Sequence, residues 1–126
     1  MINNGIADSR IFSNLLNIYK EEGNFEKAYE AGIQAIHVDP KNCNAYNNFA
    51  YFLFSDGNYE EAEEYAKDAL KIKNNLVEAI TLLYIIYTVE GRTDDADVYE
   101  KKAIANGRSK KELNELLEYY IGENEK

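Results

Sequence analysis

The side chains that could do chemistry are few. There is one histidine, His37, and one cysteine, Cys43, in 126 residues. A Cys/His zinc site needs four converging ligands and a nucleophile needs a base beside it, and one residue of each type supplies neither. His37 falls on the polar side of a helical stretch, where a solvated imidazole is expected. Cys43 is expected to pack, partly buried, rather than to react. Glu60, Glu61, Glu63 and Glu64 could be read as a cation site, but they open a helix, whose positive end favours acids, so a solvated acidic face is expected. Asp94, Asp95 and Asp97 lack the alternating oxygens and the glycine of a calcium loop, and no glycine-rich phosphate cradle occurs. Arg108, Lys110 and Lys111 form the one basic cluster, read as a soluble entry into the last helix. No catalytic, metal or cofactor site is expected, and the chain does not read as an enzyme.

Charge narrows the partners. With 23 acidic against 14 basic residues the net charge is −9, which repels phosphate backbones and anionic lipid. Neither nucleic acid nor a membrane is an expected partner. The longest nearly uncharged apolar run, Ala79 to Val89, is 11 residues, short of the roughly 20 that span a bilayer, and reads as a core helix. No charged-then-apolar leader opens the chain and a lone cysteine builds no intramolecular disulfide, so a cytoplasmic location is expected. A hydrophobic content of 45% and a single proline suit one domain spanning residues 1–126, built of packed helices.

The positioning elements announce themselves by arithmetic. Gly23, Gly57 and Gly91 are spaced by 34 residues, as are Ala28, Ala62 and Ala96, and Ala35, Ala69 and Ala103. A fixed period of this size marks a repeat architecture. Each glycine can take the left-handed conformation that ends a helix, and Asn24, Asn58 and Thr93 are placed to cap the next one, with acids following. Before the turns, Ile11, Phe12, Leu15 and Tyr19, then Tyr46, Phe49, Ala50 and Leu53, then Ile80, Leu83, Tyr84 and Tyr87 recur at helical spacing. After the turns, alanines on one face permit close helix approach.

These residues resemble the tetratricopeptide repeat, whose aromatic, leucine, tyrosine, alanine and proline signature is answered by Phe12, Leu15, Tyr19, Ala28 and Pro40. Tyr46, Phe49, Ala50, Ala62 and Ala69 answer it again. A third copy, Ile80, Leu83, Tyr87 and Ala96, departs further, with Thr93 in place of an aromatic and no proline. The resemblance implies an all-α fold: a right-handed α-α superhelix, or solenoid, of three hairpins over about 9–42, 43–76 and 77–110. Ser109 and Glu112 form a capping box before a stripe of Leu113, Leu116, Leu117, Tyr120 and Ile121, which implies a C-terminal capping helix over about 109–121.

Two details bear on packing. Leu16 with Gly32 supplies from the first helix the volume that the family usually places on the second, whereas Tyr84 with Glu100 does not balance this way. Further, Ile2, Asn4, Gly5, Ile11 and Leu15 match Ile104, Asn106, Gly107, Leu113 and Leu117 at an offset of 102 residues. The seventh helix is therefore expected in register with the first, like a truncated fourth repeat. A longer array and a short gene that simply begins there both remain open.

In the resembled family the first helices of successive hairpins line a concave groove that holds a peptide or a partner helix. Carried over by register, the groove comprises Asn17, Asn44, Asn47, Asn48, Tyr51, Phe54, Leu82, Ile85 and Val89, with Ser13 and Glu78 beside them. It is asparagine-rich at one end and apolar at the other. Asn17 and Asn48 match the asparagines of family members that clamp a terminal carboxylate, but the clamp's basic positions are Ser13, Glu78 and Leu82 here, which excludes an acidic tail as ligand. The expected function is a protein-interaction scaffold for a segment with apolar or basic residues. A homo-oligomerisation module, or a piece of a longer array, is the second reading. Whether the apolar half lies open or under the seventh helix stays undecided by sequence.

Overall fold

A computed structural model describes residues 8–124, with side chains described through residue 122. The correspondences at Ile2, Asn4 and Gly5 lie outside the described residues. Seven helices follow one another, and no strand occurs among the described residues: α1 (Ser9–Glu21), α2 (Phe25–Val38), α3 (Cys43–Ser55), α4 (Tyr59–Ile72), α5 (Val77–Val89), α6 (Thr93–Ala105) and α7 (Lys110–Asn124). α1 with α2, α3 with α4 and α5 with α6 make three hairpins, and each new hairpin packs on the one before. The result is an all-α repeat solenoid.

One turn closes each of the three hairpins. Gly23, Gly57 and Gly91 have φ of 78°, 85° and 76°, and the amide beyond each donates back across the turn: Asn24 to Tyr19, Asn58 to Leu53, Arg92 to Tyr87, at 2.8–2.9 Å. This satisfies carbonyls that a helix end otherwise leaves orphaned. The caps differ from expectation. Asn24 accepts from the Lys27 amide, but the Asn58 side chain instead donates to Asp56, and Thr93 lies inside α6, whose cap position is Arg92.

The core runs along the hairpins through Leu16, Phe49, Leu53, Ile80, Leu83 and Ile86, all 2% exposed or less, with the repeat alanines Ala28, Ala62, Ala69 and Ala103 at 0%. Gly32 shows why volume is traded between helices. A methyl group there would lie 2.2 Å from Phe49 Cδ1 and 3.0 Å from Leu16 Cδ1, so Phe49 of the second hairpin rests directly on the glycine. Cys43 packs beside Ala69, Leu76 and Ala79, and His37 is exposed.

Phenol and carboxylate pairs join neighbouring hairpins. Tyr29 Oη donates to Glu61 at 2.8 Å and Tyr87 Oη to Glu63 at 2.8 Å. Glu63 also takes Arg92 and Lys67 at 3.0 and 2.9 Å. Burial alone would raise the Glu63 carboxyl, but these donors and charges hold it below the usual carboxylate range. The Tyr29 phenol is pushed up to about 12, first by its bond to Glu61 and then by burial. Glu60 and Glu64 are solvated, whereas Glu61 and Glu63 are half-buried. The expectation of a uniformly solvated acidic face is corrected for those two, because the next and previous hairpins bring phenols to them.

Candidate interaction groove

α1, α3 and α5 touch in sequence and form one face of the solenoid. The sequence-predicted groove residues on it fall into two groups. Asn17, Asn44 and Asn48 are exposed along α1 and α3, with Ser13 half-buried beside them. Phe54, Leu82 and Ile85 are 0% exposed, and Tyr51 and Val89 are half-buried. Asn47 is also taken inside at 6% exposure, its Oδ1 without a hydrogen-bond partner. Asn47, Phe54, Leu82 and Ile85 are therefore not open groove surface in this state.

The cover over the apolar group is α7, which packs chiefly on α5 and α3. The Tyr120 ring lies 5.7 Å from Tyr51 and 6.0 Å from Phe54, centroid to centroid. Burial pushes the Tyr51 phenol well up, and its hydroxyl donates to the Glu78 carbonyl at 3.0 Å. Register isolates the effect of α7. The counterparts of Leu82 34 and 68 residues earlier, Asn48 and Asn14, are exposed, so the complete burial of Leu82 is particular to the third hairpin, where α7 lies. Two apolar side chains of this size left in water would cost about 3–6 kcal/mol.

α7 is not where a fourth repeat would put it. α3 and α5 each pack strongly on the second helix of the preceding hairpin, whereas α7 crosses onto first helices. The seat that Leu16 and Gly32 offer to Phe49 corresponds by register to Tyr84 and Glu100, and Leu117 would be its knob. Glu100 puts a carboxylate there, its side chain 18% exposed and paired with Lys110. Covering that carboxylate with a leucine would desolvate a charge, an expensive exchange. The seat stays a polar cleft of about 250 Å³ walled by Tyr84, Thr88, Asp97 and Glu100, and the apolar stripe of α7 goes to the apolar half of the groove instead. The in-register expectation for the seventh helix is corrected on that ground.

The start of α7 is pinned. Ser109 and Glu112 make the capping box, with amide-to-side-chain bonds of 2.9 and 3.1 Å, and Arg108 Nε donates to Thr81 Oγ1 at 3.2 Å. Arg108 is thus a half-buried anchor rather than a solvated entry residue. No sequence signal marked it, since its partner is 27 residues away. Leu113 is fully buried.

No group of three His, Cys, Asp or Glu side chains able to hold a metal occurs among the described residues, and no described helix is long and apolar enough to cross a membrane. The clefts at the two ends of the solenoid, about 290 Å³ over Phe12, Leu15 and Tyr19 and about 250 Å³ at Glu100, fall below the 300–1,000 Å³ usual for small-molecule sites.

Two tetratricopeptide-repeat family models match, over residues 9–42 and 43–79, together more than half of the chain. The protein belongs to the tetratricopeptide-repeat family, a family of protein–protein interaction scaffolds whose fold is typically non-catalytic. Among curated proteins no sequence match was found. Similar solved structures include the N-terminal domain of stress-induced protein-1 from C. elegans, with TM-score 0.76, 19% identity and coverage of 90% of this chain and 94% of that one. The first repeat domain of Spaghetti (RPAP3), bound to the HSP90 peptide SRMEEVD, has TM-score 0.78 and 15% identity, covering 91% of each chain. The MamA protein has TM-score 0.72 and 22% identity, covering 79% of this chain and 55% of that one.

Proposed function

We propose that this chain is a non-catalytic interaction scaffold that takes a peptide segment or a partner helix along the face lined by α1, α3 and α5. The observation that carries the reading is that this face already accommodates a helix: α7 lies on its apolar half, with Tyr120 against Tyr51 and Phe54. The other half presents Asn17, Asn44 and Asn48 to solvent. Asparagine offers both a donor and an acceptor, the pair that a peptide backbone needs. An acidic chain end is not the ligand on this reading, because Ser13, Glu78 and Leu82 stand where its cations would be. A segment with apolar or basic residues suits a chain of net charge −9. A cytoplasmic location belongs to the same proposal.

Selection of displayed linear peptides on the wild-type chain tests this. Selected ligands are expected to lose at least about ten-fold in affinity, roughly 1.4 kcal/mol, on the exposed-site variant Asn17→Arg/Asn48→Arg. Undiminished binding to that variant would remove the groove from consideration. A second reading, self-association, is favoured by one observation: Ile11, Ile18 and Phe25 are 46–48% exposed at the first hairpin, next to the cleft over Leu15. Light scattering at high concentration separates the two, a monomer mass counting against self-association.

A further inference from the structure

We propose that α7 is a displaceable occupant of the groove, and that what replaces it is a partner's amphipathic helix with the same apolar stripe and a basic polar face. The proposal rests on the groove reading above and specifies its ligand.

Leu82 and Ile85 are 0% exposed, yet of the equivalent positions in earlier hairpins Asn14, Asn48 and Asn17 are solvated and Tyr51, against α7, is half-buried. Sequence and burial therefore depart from the repeat at the same place, where the groove is built for an apolar occupant. The resident is only partly sunk into the groove. Leu113 is the one fully buried member of its stripe, Leu116, Leu117, Tyr120 and Ile121 are half-buried, and Tyr119 is 59% exposed. Two polar ties hold its entry to the hairpins, Arg108 to Thr81 and Lys110 to Glu100. Most of the stripe beyond the first turn is only half-buried, and segments with few fully buried apolar side chains open at lower free energy than the core.

An empty groove would expose Phe54, Leu82 and Ile85, so α7 is exchanged for another occupant rather than simply lost. The incoming segment must bring apolar side chains at the spacing of Leu113, Leu116, Leu117 and Tyr120, which a helix does and an extended polar peptide does not. The polar face of α7 carries Glu112, Glu115 and Glu118 on a chain of net charge −9. A helix with lysines there exchanges repulsion for attraction and competes better than the resident.

The probe is a labelled peptide of residues 108–124, titrated by fluorescence anisotropy into the full chain and into its Leu116→Ser/Tyr120→Ala variant. Weakening the resident raises the fraction of open groove, and apparent affinity rises with that fraction, so the variant is expected to bind at least about ten-fold more tightly. A second peptide that keeps Glu112 for the capping box but has Glu115 and Glu118 changed to lysine is expected to bind more tightly still at low salt. Equal binding of the probe to the two folded chains overturns displacement, and no gain for the lysine peptide overturns the basic partner. Conversion of the chain to α7-exchanged dimers would make a second copy the occupant and overturn the partner-helix assignment. If the variant does not fold, hydrogen exchange on the wild type decides: α7 amides exchanging much faster than those of α3 and α5 support the proposal, and equal protection overturns it. Displayed peptides that depend on Asn17 and Asn48 while α7 fails these tests would leave the groove reading standing alone.

Discussion

At the scale of single residues, the contacts that matter are those the repeat pattern leaves unspecified. Gly32→Ala gains about 1 kcal/mol of helix propensity, but its methyl group lands 2.2 Å from a ring atom of Phe49, which is itself 0% exposed. Overpacking of a closed core costs about 1–3 kcal/mol, so a net loss of up to about 2 kcal/mol is expected, read from the urea midpoint. Glu63 gives a pH signature. Its carboxyl is held below its ordinary 4.5, so its contribution is fully present above that value and fades as pH falls through the lower folded value. The stability gap between wild type and Glu63→Gln is expected to be about 1 kcal/mol, discounted for the exposed Lys67 and Arg92. It should be level between pH 7 and 5 and close below 4.5. A gap that does not narrow at all as pH falls below 4.5 would mean that shape, not charge, holds Tyr87 there.

At the scale of elements, the informative helix is α7. Its stripe was legible in the sequence, as was its capping box, because both are local and periodic. Its placement was not, since it depends on Glu100 of α6 meeting Lys110 and on an apolar patch assembled from α3 and α5. Glu100→Leu removes the carboxylate from the polar cleft. In that variant α7 is expected to shift toward the last hairpin, seen as loss of ring-to-ring proton contacts between Tyr120 and Tyr51 by NMR. Unchanged contacts would show that the affinity of the groove for α7, and not the charge at the cleft, sets the helix position.

At the scale of the molecule, Leu82 and Ile85 belong to the folded core as much as to a binding face. Leu82→Asp is expected to lower global stability by about 3 kcal/mol or more, because it buries an unpaired carboxylate, and thermal melting checks this. Binding experiments on the groove therefore belong at the solvated asparagines. The sequence by itself determined the repeat, the glycine turns, the helix count and the family, since a 34-residue period imposes the same local geometry wherever it recurs. Only the tertiary structure decided which half of the groove is open, that Glu61 and Glu63 accept from phenols of other hairpins, and that the seventh helix leaves the register of the repeat. Those outcomes turn on burial of charge and of apolar surface between segments far apart in the chain, which no local pattern encodes.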